Sequence, residues 1–290
     1  MHIGSKFVVS AFALLAIVAD IEGARAVEQF SNASLIGTYA VADTGRGGQT
    51  PQAGVSVATY DGKGSFSGVT IQDVPGRTFR ERVFVRAPFT GTYSLSESGE
   101  GTGTISMTMP DGSPQEVKVA LVITKSAKKN GATVADEFAF MYEQLGPTTA
   151  NLLTLQASRL PDDGKFTNAS LKGAYAYTLL GQGGPVPQAG LGLMNYDGEG
   201  QFTGSATVNL PGRAYGERAF VSAPFVRPYT VNADGTGTAT PPGESDIVFV
   251  ITKVDVVEGV KLGKEVFFIV REINPATGNL LTGVITRLSD

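Results

Sequence analysis

The charged residues that best fit a functional site lie in a segment that occurs twice, at 75–82 and 211–218. Each copy reads P-G-R-x-[F/Y]-x-E-R. Alternate side chains of an extended strand share a face, so Arg77 and Glu81 project together among apolar residues. They are separated by about 13 Å, since each residue advances about 3.3 Å, and cannot pair directly. Each charge therefore needs a partner on a neighbouring strand or in a ligand.

Two interpretations of this segment remain open. In one, its charges form ion pairs that fix strand register; in the other, they are the polar anchors of a ligand cavity. We expect the glutamates to be structural and the arginines, which follow a Pro-Gly turn, to lie nearer a ligand-accessible rim. With a tyrosine from the first strand of each copy, the candidate ligand-binding residues are Arg77, Glu81, Tyr39, Arg213, Glu217 and Tyr175.

Several catalytic chemistries are excluded by residue types that the chain lacks. The only histidine is His2, near the N-terminus, and there is no cysteine. Catalysis by Ser-His-Asp or Cys-His groups, histidine-ligated zinc and iron–sulfur clusters all require these residues. We therefore predict no catalytic residue, no metal site and no cofactor, and we favour a protein that is not an enzyme.

Glycine-rich segments are predicted to be turns and loops. Asp61 and Asp197 each precede a glycine that supplies the positive φ of a tight hairpin turn. Segments 45–48 and 181–184 lack the following helix that a phosphate-binding loop needs, and at the mouth of a barrel they would form a lid. Segment 232–243 begins like a calcium loop but has glycine at its twelfth position, where a bidentate carboxylate is needed.

The N-terminus predicts export. A positively charged start is followed by an apolar run at 7–18 and by Ala-Arg-Ala at 24–26, which fits cleavage by signal peptidase after Ala26. The run is too short to span a bilayer, which needs about 20 residues. Residues 1–26 are therefore expected to be a signal peptide, and the mature chain a periplasmic or secreted bacterial protein without a membrane span.

The charge of the chain argues against binding to polyanions. The net charge is −4, and the basic residues form no stripe. Nucleic-acid and anionic-membrane surfaces select strongly basic patches, so neither is an expected partner. A partner protein is not identified by the sequence.

An internal repeat organises the chain. The pattern F-[S/T]-N-A-S-L-x-G-x-Y at 30–39 returns at 166–175, 136 positions later. The spacing is still 136 at Thr104 but is 128 at Val122, so the second copy lacks eight residues between these positions, where a hairpin loop tolerates a length change. A polar Pro-Asp-Asp-Gly seam separates the copies. We therefore predict two domains, 27–163 and 164–290.

Short runs rich in Val, Ile, Thr, Phe and Tyr predict an all-β fold. Gly, Asp, Pro and Asn interrupt them about every eight to twelve residues, and neighbouring strands are expected to pair as hairpins. The nine runs of the second copy are about 170–180, 189–196, 200–208, 213–221, 227–231, 236–240, 247–253, 265–272 and 280–287.

Eight or so strands joined by tight turns and beginning with Gly-x-Tyr resemble the barrels of the lipocalin and calycin kind. The chain departs from the lipocalin pattern because it has no tryptophan for a Gly-x-Trp start. The Asp-Gly-x-Gly turns also resemble those of uncharacterised bacterial secreted tandem-repeat β proteins, for which no function is implied. The resemblance implies two tandem antiparallel up-and-down β-barrels, with a β-sandwich or jelly roll as the alternative fold.

Three functions follow as hypotheses. The first is an exported non-enzymatic binding module that holds a small apolar or amphipathic ligand in each barrel, an inference from fold analogy. The second is a dirigent-like or cyclase-like isomerase that uses Glu, Arg and Tyr. The third is a surface or self-assembly protein with no small-molecule site, for which a filled core and an exposed apolar patch would be the signature.

Overall fold

The chain folds almost entirely into β-strands. The computed structural model describes residues 29–46, 51–75, 82–108, 112–143, 152–162, 165–182, 187–211, 217–239, 246–271 and 280–288. Within these ranges the only helical elements are two three-residue 3₁₀ turns. No helix there has the length and hydropathy needed to span a bilayer.

The first repeat forms a closed barrel in which each strand pairs antiparallel with the next and β8 pairs with β1. This confirms the predicted up-and-down barrel over the alternative sandwich. The eight strands are β1 (Ile36–Arg46), β2 (Gln52–Asp61), β3 (Ser65–Pro75), β4 (Arg82–Leu95), β5 (Glu100–Thr108), β6 (Pro114–Lys129), β7 (Ala132–Tyr142) and β8 (Leu152–Arg159).

Aromatic rings fill one end of the interior of this barrel. Tyr60 contacts the rings of Tyr39, Phe66, Tyr93 and Phe138, with centroid separations of 4.8 to 5.4 Å. Most of these pairs are edge-to-face, the arrangement that the ring quadrupole favours. The interior at this end is therefore packed side chain against side chain.

The same end of the barrel is closed by the 3₁₀ turn Asn32–Ser34. The Asn32 side chain accepts a hydrogen bond from the backbone N–H of Leu95 at 2.8 Å, and the Tyr93 hydroxyl donates to the carbonyl of Leu35 at 2.9 Å. Asn168–Ser170 closes the second repeat with equivalent bonds. The Asn-Ala-Ser motif of each repeat thus forms a plug just before the first strand.

The second repeat forms a curled sheet of nine strands in the order β12-β11-β10-β9-β17-β16-β15-β14-β13. Strands β12 and β13, which lie at opposite edges of this sheet, together correspond to β4 of the first repeat. The strands are β9 (Lys172–Gln182), β10 (Gln188–Asp197), β11 (Gln201–Pro211), β12 (Arg218–Pro228), β13 (Thr230–Val231), β14 (Thr236–Ala239), β15 (Asp246–Val257), β16 (Val260–Arg271) and β17 (Leu280–Arg287).

The two repeats pack against each other through the outer faces of their sheets. Strands β1, β2 and β8 contact β15, and β2 also contacts β16 and β17. Outward side chains of β2, such as Val55, join the same buried apolar cluster as Val250 and Ile269 of the second repeat. The core of the second repeat therefore continues into the contact between repeats, whereas the core of the first is a separate cluster.

Candidate functional site

The predicted ligand residues are dispersed. Arg77, Glu81 and Arg213 lie outside the described residues, so their predicted roles stay predictions. Glu217 is exposed just before β12. Next to it, the Arg218 guanidinium donates to the side chain of Asn209 at 2.7 Å and ties β12 to β11.

The two candidate tyrosines are structural parts of the barrels. Tyr39 is fully buried, and its hydroxyl donates to the carbonyl of Ala135 at 2.8 Å. Tyr175 makes the same bond to Gly263 at 2.9 Å. Burial raises the pKa of Tyr175 to about 12, and burial likewise raises that of Tyr39. Both hydroxyls are therefore protonated at neutral pH and engaged with backbone.

A group of polar side chains lies inside the first barrel, beyond the aromatic rings. Four side chains from three strands converge there. Gln72 donates from its amide nitrogen to Asp43 Oδ1 at 3.0 Å and to Thr70 Oγ1 at 2.8 Å. Ser56 donates to the same threonine oxygen at 2.9 Å. We call Asp43, Ser56, Thr70 and Gln72 the interior polar cluster.

A glycine on the neighbouring strand makes room for this cluster. Gly54 pairs with both Asp43 and Gln72 in the barrel register. A Cβ at Gly54 would lie 2.0 Å from Gln72 Nε2 and 2.2 Å from Asp43 Oδ1, far inside contact distance. The Asp43–Gln72 hydrogen bond in this position therefore requires glycine between the two strands.

The carboxyl of Asp43 is electrostatically unusual. The side chain is fully buried, and removal from water raises its pKa from 3.8 to about 7, while the hydrogen bond from Gln72 acts in the opposite direction. Its charge also raises the pKa of Tyr142, after the larger effect of burial. Asp43 is thus poised to change protonation state near neutral pH.

Two oxygen atoms of the cluster have no hydrogen-bond partner in the part of the chain that the structure describes. Among the described residues, Asp43 Oδ2 and Gln72 Oε1 are buried without a hydrogen-bond partner. A buried polar atom that makes no hydrogen bond costs about 1–3 kcal/mol. Gln72 Oε1 is an acceptor, and so is Asp43 Oδ2 when the carboxyl is ionised, so the missing partner of that form is a hydrogen-bond donor.

A cavity inside the first barrel lies against this cluster. It is lined by Gln72, Thr70 and Ser56 on one side and by apolar or aromatic side chains, including Phe89 and Phe140, on the other. Its central free space is about 20 Å³, room for about one water-sized group. With the part that opens to solvent, the empty space is about 370 Å³.

The second repeat lacks this polar cluster. At the four positions equivalent to Asp43, Ser56, Thr70 and Gln72 it has residues without polar side chains, and Tyr142 is also replaced. These residues are Leu179, Gly192, Ala206, Val208 and Val270. Since the repeat folds into the same strands without it, the cluster is not needed to specify the β-strands.

Other sites are not supported by the described residues. They contain no group of three or more Asp or Glu side chains placed to hold a metal ion. Gly62 has the positive φ predicted for the turn after Asp61, at 73°. Asp61 Oδ1 accepts hydrogen bonds from the backbone N–H groups of Lys63, Gly64 and Ser65 at 2.7 to 3.1 Å and so caps the turn. Asp197 does the same in the second repeat.

Comparison with known proteins adds no functional assignment. No protein-family model matches the chain, and no curated protein matches it. One solved structure with some similarity is immune modulator A from Aeromonas veronii, at 8% sequence identity. The match covers 88% of this chain and 97% of that chain, but its TM-score of 0.22 is too low to support an argument about fold or function.

Proposed function

We propose that the protein is a non-enzymatic binding module whose first barrel holds the head of a small amphipathic ligand. The observation that carries the proposal is the unpartnered Oε1 of Gln72, buried against the barrel cavity. It is a hydrogen-bond acceptor next to two hydroxyls, in a wall that is otherwise largely apolar. A few polar groups in an apolar concavity are typical of small-molecule sites.

The chemistry of the cluster selects the head group of the ligand. Gln72 Oε1 and Asp43 Oδ2 both accept hydrogen bonds, so a donor such as an amine or a hydroxyl fits, and a carboxylate does not. The central free space admits a head the size of one water molecule. The body of the ligand would lie against Phe89, Met107 and Phe140.

Asp43 acts on the ligand through Gln72. It lies behind the glutamine, and its ionised form accepts from the glutamine amide, which turns Oε1 away from the carboxyl. Asp43 is therefore a positioning residue, and a cationic amine gains additional attraction from its negative charge. The first barrel alone has this arrangement, so we expect one ligand per chain instead of the two expected from the repeat.

A series of four-carbon probes tests the proposal. n-Butylamine and n-butanol present donors, whereas butyrate presents only acceptors and a negative charge. We expect saturable NMR shift changes at Met107 and Tyr142 with butylamine, weaker ones with butanol and none with butyrate.

The matched variant is Gln72→Val, which installs the residue that the second repeat has at Val208. It should abolish the butylamine response and leave the β-sheet circular dichroism spectrum unchanged. Equal responses to butylamine and butyrate, or an undiminished response in the variant, would contradict the proposed site.

A further inference from the structure

The contact between the two repeats joins two different surfaces. We define face A as the outward side chains of the second to fourth strands of a repeat, and face B as those of its last three long strands. In the first repeat face A includes Val55, Val57 and Phe84; in the second repeat face B includes Val250 and Ile269. The contact therefore pairs face A of the first repeat with face B of the second, and parts of β1 and β8 of the first repeat also lie against β15.

Each repeat also carries the other of these two faces, which takes no part in the contact between the repeats. The repeat offsets place Leu191, Leu193 and Phe220 on face A of the second repeat. They are 61%, 57% and 79% exposed, whereas Val55 and Val57 are 0% and 9% exposed. The unused face A is thus uncovered and carries larger apolar side chains than the buried one.

Face B gives the converse result. In the second repeat Val250, Ile269 and Leu280 are each 0% exposed, covered by the first repeat. Their counterparts on the first repeat are Val122, Met141 and Leu152, which are 41%, 52% and 60% exposed. A surface concavity includes two of these, Met141 and Leu152. The unused face B is thus uncovered as well.

We propose that the protein self-associates head to tail, with face A of the second repeat of one molecule docking on face B of the first repeat of another. The partner is a second copy of this chain, because the chain already contains this contact between its own repeats. The two docking surfaces differ, so the interface is heterologous and generates rings or open filaments.

Apolar burial supplies the driving force. Leucine at 191 and 193 offers more apolar area at these two positions than valine does at 55 and 57 in the internal contact. Large contiguous apolar patches on otherwise soluble proteins mark interaction sites. The proposal is independent of the ligand site, since the interior polar cluster lies inside the barrel and both faces lie outside it.

Two complementary variants test the proposal in the purified full protein. Leu191→Glu with Leu193→Glu disables free face A, and Val122→Glu with Met141→Glu disables free face B. All four side chains are exposed, so the added charges remain solvated and the fold should persist. Serine at the same positions provides milder versions if either glutamate variant fails to fold.

Sedimentation velocity over a range of protein concentrations is the measurement. The wild type should show a mass that increases with concentration, and each variant alone should remain monomeric. An equimolar mixture of the two variants should form a dimer, at about twice the monomer mass, and nothing larger. Each variant retains one competent face, so the two can make only one contact. Ile36→Glu adds the same charge at an exposed position of β1, a strand that belongs to neither face, and should behave as wild type.

Other results would overturn the proposal. A wild type that is monomeric at every concentration would do so, as would variants that associate like the wild type. Association of the face-B variant alone, with a monomeric face-A variant, would mean that face A pairs with itself.

Discussion

Replacing Asp43 with asparagine should remove a pH-dependent loss of stability. The folded-state pKa is raised from 3.8 to about 7, so between these values the unfolded chain releases a proton that the folded chain retains. The free energy of unfolding therefore falls as pH rises through this window and is level on either side. At about 1.4 kcal/mol per pKa unit, the shift corresponds to about 4 kcal/mol.

Urea denaturation of the wild type and Asp43→Asn at pH 4 and pH 8 measures this contribution. Asparagine keeps an oxygen that can accept from Gln72 but does not titrate in this range. The other ionisable groups cancel in the difference between the two proteins. From pH 4 to pH 8 the free energy of unfolding of the wild type should fall by about 4 kcal/mol relative to that of Asp43→Asn. A constant difference, or one that favours the wild type at pH 8, would refute the buried, easily protonated carboxyl.

Three further outcomes are expected. Asp61→Asn should show the opposite pH dependence, because backbone N–H groups lower the pKa of Asp61; its loss of stability should be full at pH 7 and vanish in acid, as followed by thermal melts. Gly54→Ala should destabilise the protein by about 1–3 kcal/mol, whereas Gly190→Ala, whose new Cβ would meet nothing closer than 3.5 Å, should not; equal melting temperatures would contradict the close packing. Butylamine binding should strengthen from pH 6 to pH 8 as Asp43 ionises, which calorimetry would detect.

The strand pattern was predictable because it depends on local chemistry. Periodic β-branched and aromatic residues, interrupted by Asp-Gly turns, gave nine strands in the second repeat, close to β9–β17. The repeat also predicted equivalent Asp-Gly turns in both copies. These features are set by neighbours in sequence, so one chain suffices to locate them.

The interior polar cluster was not predicted, because Asp43 and Gln72 are 29 positions apart and meet only when β1, β2 and β3 curl together. A signal was nevertheless present in the repeat. Asp43 and Gln72 align with Leu179 and Val208, and a change from polar to apolar at two inward positions points to a function in one copy only. The Arg/Glu segment is common to both copies, whereas the cluster lies where the copies differ, so residues that the copies share do not reveal it.

Faces A and B were not predicted because their residues occupy outward strand positions, where polar side chains are expected. Val55 and Val57 face outward and are buried, while Ala58 and Tyr60 of the same strand pack into the barrel core. Much of β2 is therefore apolar on both sides, a pattern typical of a strand that is covered on both faces. β10 has the same pattern, with Leu191 and Leu193 facing outward. The pattern indicates that face A of the second repeat is also covered, by a second molecule.

The short seam between the repeats sets the unit of assembly. Leu160 is buried in the contact between repeats, and the Pro161 carbonyl accepts a hydrogen bond from the Lys261 ammonium at 2.8 Å. A tether this short keeps the internal faces at a high effective concentration, so they remain joined at any protein concentration. The free faces, with the same chemistry, join only when molecules meet. Dilution should therefore separate every second contact of an assembly and release pairs of repeats, never single ones.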